Sequence, residues 1–273
     1  MHEDFICQAI ESVLTQETSY PFELVIANDH STDSTDEIIK KIINEHPKGH
    51  LIRYFNHTIN KGMMKNFIFS LEQCQGEYVA LCEGDDYWTD PLKLQKQVDL
   101  LESNSNLVAC HHWQKNAILK DGFFVETESP KKGHGYFPQP VSNVIEIFSN
   151  NLRIKTRTIM FRNVINKDFF PTWFSNLSFG DVPLSFLLGK FGDFGFIDEE
   201  MAVYRQTETG VSKAGLKELG RKKFRVQHFK NWIEIWDYVN VYYNYEYHKE
   251  SVKTVSDFYK VIFLNLEITV FSF

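Results

Sequence analysis

Over the first 110 residues, the apolar positions switch between two patterns. Stretches with apolar residues three or four positions apart are followed by short continuous apolar runs, which are typical of buried strands. The helical spacing predicts helices at residues 5–14, 63–71 and 91–101. Ser34 and Glu37 form a capping box, which predicts the start of another helix. The continuous apolar runs predict strands at 22–27, 51–55, 78–82 and 107–111. Because strand and helix alternate with short connections, we expect βαβ units on a mostly parallel sheet flanked by helices.

The pattern weakens after residue 110. Residues 120–142 hold glycine, proline and lysine with little periodicity, which predicts a long loop or a mobile flap. Beyond this loop we expect short helices at 144–148 and 182–188 and short strands at 158–161, 195–197 and 202–204. From about Lys213 the chain looks helical and gives no further sheet signal, so a helical C-terminal extension should follow the sheet.

Acidic residues follow two of the predicted strands. The run Tyr78–Cys82 ends in Glu83, Asp85 and Asp86, and the earlier run 22–27 is followed by Asp29. Ligands of open α/β sheets bind outside the carboxyl ends of the strands, and neighbouring carboxylates there repel each other unless a cation neutralises them. The sequence therefore predicts a divalent metal that holds a phosphorylated ligand. The alternatives are an acidic turn before the next helix and, for Asp29, a turn or N-cap residue.

Composition and net charge restrict the classes of protein to which this chain can belong. The chain has 273 residues, is 43% hydrophobic and carries a net charge of −7, which suits a folded protein with a sizeable core and argues against a nucleic-acid partner. Its four cysteines show no paired spacing, which favours reduced thiols in the cytoplasm. No apolar run approaches the roughly 18 residues that would cross a membrane.

Several stretches, in this order, resemble the family-two glycosyltransferases with the GT-A fold, the group that builds bacterial surface polysaccharides. The resemblance covers roughly residues 1–212. The matching stretches are HEDFICQAIESVLTQ (2–16), FELVIANDHSTDST (22–35), NKGMMKNF (60–67), GEYVALCEGDDYWTDPLKLQKQ (76–97), GDVPLSFLLGKFG (180–192) and IDEEMAVYR (197–205). The resemblance implies a GT-A, Rossmann-like catalytic domain over 1–212 and a helical extension over 213–273.

The resemblance also implies a role for each matching residue. Asp29 corresponds to the acid that contacts the nucleotide base, and Ser31 and Lys61 are assigned with it to the nucleotide-sugar donor. Glu83 begins the acidic metal motif, in which Asp85 and Asp86 would touch the ribose and coordinate Mn²⁺ or Mg²⁺. A metal would neutralise the diphosphate leaving group of a UDP-sugar or a similar donor.

Asp181 corresponds to the general base, which takes a proton from the hydroxyl of a glycan or lipid-linked acceptor. One carboxylate suffices for direct displacement with inversion. From the residues alone, Asp181 could equally serve as the N-cap of the helix 182–188, and the two roles are compatible.

Three features depart from the family pattern. The apolar strand that precedes HEDFI in the family has no counterpart, so we expect a gap in the sheet beside residues 22–27. His30 stands where a glycine usually follows the acidic pair, and it adopts a positive φ less readily. Thr207 stands where many relatives carry a metal-binding histidine, for which Glu208 is a possible substitute.

Two other functions remain open at this point. A non-catalytic nucleotide-sugar binder, or an inactive fragment, would fit the absent strand. A nucleotidyltransferase would share the fold and the metal, but would need a glycine-rich, basic N-terminal loop that this sequence lacks.

The segment 213–230 is basic and contains interleaved apolar residues, which suggests either contact with a membrane surface or a solvated helix face. We therefore expect a cytoplasmic enzyme, peripheral at the inner face of the plasma membrane.

Overall fold

The computed structural model describes residues 2–127, 138–207 and 216–266. Its helices, apart from a short helical stretch at 216–219 and three 3₁₀ turns, are α1 (Ile6–Leu14), α2 (Thr35–Glu45), α3 (Met63–Gln73), α4 (Lys93–Ser103), α5 (Val144–Phe148), α6 (Asp181–Leu188), α7 (Arg221–Tyr242) and α8 (His248–Asn265). Its strands are β1 (Leu24–Asn28), β2 (Ile52–Asn56), β3 (Tyr78–Ala80), β4 (Tyr87–Trp88), β5 (Leu107–Lys120), β6 (Phe123–Thr127), β7 (Val141–Ser142), β8 (Met160–Arg162) and β9 (Asp193–Gln206).

The strands form two separate sheets. β1 and β2 make a parallel pair, and the other seven strands form a mixed sheet with the order β3-β8-β5-β9-β4, to which β6 and β7 are attached at β5 and β9. The α/β class is confirmed, but the expectation of a mostly parallel sheet is wrong: in the larger sheet the β5–β9 pair is parallel and the other described pairings are antiparallel. Short apolar runs predict strands without specifying the direction of the partner strand.

Two long strands organise the larger sheet. β5 and β9 pair from Leu107–Asp193 to Ile118–Gln206, with irregularities in register near Trp113. The first six residues of β5 are buried, because the strand lies inside the sheet with helices against it. The two short strands predicted at 195–197 and 202–204 are parts of β9, whose exposed middle section is polar and interrupts the apolar pattern.

The predicted loop at 120–142 is partly wrong. β5 and β6 form a hairpin in which Lys120 pairs with Phe123 across a two-residue turn at Asp121 and Gly122. Both turn residues have positive φ, 50° and 85°, as a type I′ turn requires, and Asp-Gly is among the preferred sequences for that turn. The part of the predicted loop at 128–137 lies outside the described residues.

Helix α2 begins where the sequence predicted, without the predicted capping box. The side chain of Ser34 makes no cap hydrogen bond. Asp33 makes the side-chain hydrogen bonds at the start of α2 instead. Its Oδ1 accepts one from the Thr35 amide at 3.2 Å and one from the Thr35 hydroxyl at 2.6 Å.

The C-terminal helices are confirmed and share a core with the rest of the chain. Aromatic and aliphatic side chains of α7 and α8 pack against α5 and α6. The Trp236 indole donates a hydrogen bond to the Phe148 carbonyl at 3.0 Å, and the Tyr243 hydroxyl donates one to the Phe186 carbonyl at 2.6 Å. The division of the chain at residues 212 and 213 stays a prediction.

A buried lysine lies beneath the loop that joins β3 to β4. Lys93 is 0% exposed, and its ammonium lies 2.6 Å from Gln97 Oε1 and 3.8 Å from the centroid of the Trp88 ring. Burial lowers the pKa of Lys93 to about 7, and the neighbouring thiols of Cys82 and Cys110 act against this lowering. The folded protein therefore favours the uncharged amine.

This lysine should make stability depend on pH between about pH 7 and pH 9. In that interval the unfolded chain binds a proton at Lys93 that the folded protein releases, so the free energy of unfolding rises with pH by up to about 1.4 kcal/mol per unit. Above about pH 9 the thiols oppose the rise, since burial raises the pKa of Cys110 to about 12 and unfolding lets it ionise.

Urea denaturation across that interval, on the wild type and on Lys93→Met, tests this expectation. Lys93→Met should lose the rise with pH, whereas the exposed control Lys41→Met should keep it. Parallel pH profiles for the wild type and Lys93→Met would contradict the assignment.

Candidate functional site

A cavity of about 1710 Å³ opens between the β1–β2 pair and the larger sheet. Every residue of β1 and β3 lines it, and within the described residues no strand lies between these two. The apolar residues of β1 are accordingly only half-buried. The gap expected beside residues 22–27 coincides with this cavity, but the absence of a first strand from the protein stays a prediction.

The acidic loop after β3 forms part of the cavity wall. Glu83 and Asp85 are half-exposed there, whereas Asp86 is 1% exposed. The three carboxylates therefore occupy different environments, although they look alike in the sequence.

Asp86 is held by two arginines. Its Oδ2 accepts a hydrogen bond from Arg157 Nε, and its Oδ1 accepts one from the Arg205 amide at 2.8 Å. Burial raises the pKa of Asp86, and the Arg157 guanidinium opposes that rise by favouring the ionised carboxylate. Both oxygens of Asp86 thus have protein partners, and its predicted role as a metal ligand stays a prediction.

Glu83 and Asp85 do fit a divalent cation. Glu83 Oε1 lies 3.3 Å from Arg157 Nη2, while Glu83 Oε2 is buried without a hydrogen-bond partner. No hydrogen bond to the Asp85 carboxylate is found among the described residues. A buried, unpaired oxygen is costly, and a cation bound there would satisfy it. The described residues contain no group of three acidic, histidine or cysteine ligands, so the ligand itself would have to complete the coordination.

Asp29 connects two loops at the rim of the cavity. Its carboxylate oxygens accept hydrogen bonds from the Lys61 amide at 2.7 Å and the Gly62 amide at 2.9 Å. Each carboxylate oxygen can accept more than one hydrogen bond, so Asp29 keeps capacity for a ligand. Ser31 lies beside it in the cavity wall.

The structure does not bring Lys61 into the cavity wall. Its ammonium lies 4.5 Å from the centroid of the Phe69 ring, and the lining residues nearest to it in sequence are Asn60 and Met63. Lys61 contributes its backbone amide to Asp29 rather than its charge.

Two of the departures from the family pattern are visible in the structure. His30 has a φ of 60°, so it adopts the left-handed conformation that a glycine would take at lower cost. Thr207 is 6% exposed and lines the cavity, and its hydroxyl is a weaker metal ligand than an imidazole. Glu208, the possible substitute, lies outside the described residues.

Asp181 is the first residue of α6, and Gly180 is the N-cap. The alternative interpretation of Asp181 as an N-cap is therefore wrong, and its side chain makes no capping bond. Packing around Lys155 lowers the pKa of its ammonium, and the carboxylates of Asp181 and Glu83 both act against that lowering. One ammonium group thus lies within electrostatic range of both carboxylates, although Asp181 is not among the residues that line the cavity.

Sequence reasoning missed Arg157 and His2. Arg157 is buried and spans Asp86, Glu83 and Gln114, with Nη1 at 2.7 Å from Gln114 Oε1. An arginine directly before a predicted buried strand was the available signal. The His2 ring packs against Gly84, where an added Cβ would meet His2 Nδ1 at 3.0 Å, so a side chain at position 84 would displace it.

One family model and several known proteins match this chain. The model of the family described as Glycosyl transferase family 2 matches residues 2–166. An uncharacterized protein of Mycobacterium tuberculosis (strain ATCC 25618 / H37Rv) is 34% identical over 227 residues, which are 81% of this chain and 60% of that protein. The chain thus spans about 60% of the length of the mycobacterial relatives that it matches.

Two further likenesses concern characterised or solved proteins. The UDP-Glc:α-D-GlcNAc-diphosphoundecaprenol β-1,3-glucosyltransferase WfaP of Escherichia coli is 33% identical over 101 residues, 37% of this chain and 38% of the enzyme. The crystal structure of Staphylococcus aureus TarS residues 1–349 in complex with UDP-GlcNAc is similar with a TM-score of 0.59 at 16% identity, and the match covers 96% of this chain and 78% of that one. The second likeness concerns the fold alone.

The buried contact between Arg157 and Asp86 should be critical for stability. Asp86→Asn removes the charge that neutralises the buried guanidinium, so we expect the free energy of unfolding to fall by about 3 kcal/mol. Asp85→Asn is the matched control and should change it by less than about 0.5 kcal/mol, because the Asp85 side chain has no hydrogen bond to lose. Urea denaturation followed by circular dichroism measures both, and equal effects of the two variants would refute this division of roles.

Proposed function

The chain belongs to glycosyl transferase family 2, and from that membership we propose that it moves a sugar from a nucleoside diphosphate donor to an acceptor hydroxyl with inversion. The preferred donor is a UDP-sugar, and the acceptor is a glycan or a lipid-linked saccharide of a cell-surface polysaccharide. The observation that carries the proposal is the unpaired Glu83 Oε2 beside the Asp85 carboxylate, in the wall of a large cavity at the carboxyl end of β3.

In this proposal, the donor lies along the rim of the cavity. Asp29 and Ser31 contact the nucleoside, and Glu83 and Asp85 hold a divalent cation, Mn²⁺ or Mg²⁺. When bound, the cation neutralises the diphosphate leaving group. Asp86 contributes indirectly, because its contacts with Arg157 and Arg205 fix the loop that presents the other two acids.

Asp181 acts as the general base. Its carboxylate accepts the proton of the acceptor hydroxyl as the oxygen attacks the anomeric carbon of the sugar. The proposal includes a cytoplasmic location at the inner face of the plasma membrane, with contact through residues 213–230. None of the described helices is long and apolar enough to cross a bilayer.

Removal of the proposed base should abolish transfer and preserve binding. Asp181→Asn should lower the turnover number by about 10²- to 10⁴-fold, because the amide cannot accept the proton. Isothermal titration with UDP-, GDP- and dTDP-sugars identifies the donor, and product formation from that donor measures turnover. The exposed control Asp168→Asn should leave both quantities unchanged, and undiminished turnover in Asp181→Asn would rule out Asp181 as the base. Donor binding without turnover in the wild type would favour a non-catalytic nucleotide-sugar binder.

The assignment of a metal site to Glu83 and Asp85 predicts how donor binding depends on Mn²⁺. Mn²⁺ should tighten donor binding to the wild type, and Asp85→Asn and Glu83→Gln should lose most of this gain, since each removes one charged ligand oxygen. The titrations are run with and without Mn²⁺ after treatment with a chelator, again with Asp168→Asn as control. Full Mn²⁺ enhancement in both variants would contradict a metal site on this loop.

A further inference from the structure

The end of the α7–α8 pair that holds the first residues of α7 and the last residues of α8 is both apolar and exposed. Four large hydrophobic side chains, three in α8 and one directly after it, are more than half exposed: Tyr259 at 57%, Phe263 at 62%, Leu264 at 79% and Leu266 at 51%. Leu216 and Leu219, which precede α7, are exposed by 40% and 41%. Large apolar side chains grouped in this way mark an interaction surface.

The same end of the helical pair is strongly basic. Between residues 216 and 230 there is a single acid, Glu218, and the cations are all exposed: Lys217, Arg221, Lys222, Lys223, Arg225 and Lys230. None of them makes an ion pair with a described carboxylate. The chain as a whole carries a net charge of −7, so this positive charge is a local feature.

Helix packing brings the two sets together. Asn240 Nδ2 in α7 lies 2.9 Å from His248 Nδ1 at the start of α8, and the Phe229 ring in α7 lies 5.4 Å from the Phe258 ring, so α8 runs antiparallel to α7. The part of α8 beyond Phe258 therefore extends beside the first turns of α7. Ile262 faces inward with 8% exposure, which leaves Phe263 and Leu264 directed away from the core. We call residues 216–230 and 259–266 the basic apolar end.

The basic apolar end is close to the proposed base. The Phe179 ring lies 6.2 Å from the His228 ring and 5.6 Å from the Trp232 ring, and Phe179 is two residues before Asp181. Burial lowers the pKa of His228, and the Asp181 carboxylate acts against that lowering. Asp181 thus lies within electrostatic range of His228, which follows Arg225 by three residues in α7.

We propose that the basic apolar end docks on an anionic lipid surface, with the cations against the headgroups and Phe263 and Leu264 inserted between them. A surface that combines exposed cations with exposed Phe and Leu side chains suits the boundary between lipid headgroups and acyl chains. A second copy of the chain fits less well, because a two-fold contact would place the same cations against each other. Nucleic acid would pair with the cations but would leave the apolar side chains in water.

Docking on a lipid surface favours a lipid-linked acceptor for the proposed sugar transfer. A lipid-linked acceptor would reach Asp181 from the membrane without leaving it, since the base lies beside the docked end. This consequence rests on the sugar transfer of the proposed function, whereas the docking, which extends the membrane contact proposed there to residues 259–266, does not.

Vesicle sedimentation with the full chain tests the docking. The wild type should bind phosphatidylglycerol vesicles at about 0.1 M salt, bind phosphatidylcholine vesicles weakly, and be released at about 0.5 M salt. The double variant Lys222→Gln/Lys223→Gln should bind about 30-fold more weakly, about fivefold for each charge lost. Phe263→Ser/Leu264→Ser should weaken binding about tenfold or more.

Matched controls come from the other end of α8. Lys249→Gln/Lys253→Gln and Val252→Ser change exposed residues of the same kinds and should leave vesicle binding unchanged. Circular dichroism melting confirms that each variant is folded.

Three outcomes would overturn the proposal: equal binding to the two lipids, equal losses in the control variants, or no binding at all. Sedimentation velocity without vesicles detects the competing occupant, since a dimer that Phe263→Ser/Leu264→Ser dissociates would assign the surface to a second copy. Vesicle binding requires neither donor nor turnover. A protein that binds vesicles but transfers no sugar refutes the proposed function alone, and one that acts on a water-soluble acceptor but ignores vesicles refutes the docking alone.

Discussion

The buried ion pair between Asp86 and Arg157 is the interaction on which the site depends. It joins the loop after β3 to the segment before β8, 71 residues later in the chain, and the Arg205 amide adds a contact from β9. Desolvation of two charges is expensive, and the cost is recovered only while both partners and their hydrogen bonds are present. The pair therefore fixes the loop in one position, and that position turns Glu83 and Asp85 toward the cavity.

The three acids within these four residues thus have different roles because they differ in burial. Asp86 neutralises a guanidinium in the interior, Glu83 contacts the edge of the same guanidinium and keeps one oxygen unpaired, and Asp85 makes no side-chain hydrogen bond with the described residues. Local sequence presents the three as equivalent. What separates them is the position of Arg157 and Arg205, which the chain brings in from 71 and 119 residues away.

The parts of the fold that were predicted correctly are those that local sequence determines. Apolar spacing located α1, α3 and α4 and gave α5 its observed bounds, because a helix buries a stripe that recurs every three or four residues. The expected direction was correct for β1–β2 and β5–β9 and wrong for the other pairs, because strand pairing depends on distant partners. The hairpin at Asp121 and Gly122 is an exception, since its signal is local and was outweighed by the low periodicity around it. In the site, Asp29 and the acids after β3 were located from the sequence, whereas Arg157 and the placement of Lys61 required the structure.

The C-terminal helices affect the candidate site directly, because they pack against α6. α6 carries Asp181 at its first residue, and the rest of α6 is buried against α7 through Phe186 and Trp236, whose rings lie 5.2 Å apart. The Tyr243 hydroxyl also bonds the Phe186 carbonyl within this packing. A helix of eight residues is too short to hold its orientation alone, so its position is set by what packs on it. The position of Asp181 is therefore set by the shared core, and any displacement of α7 would move the proposed base relative to Glu83 and Asp85.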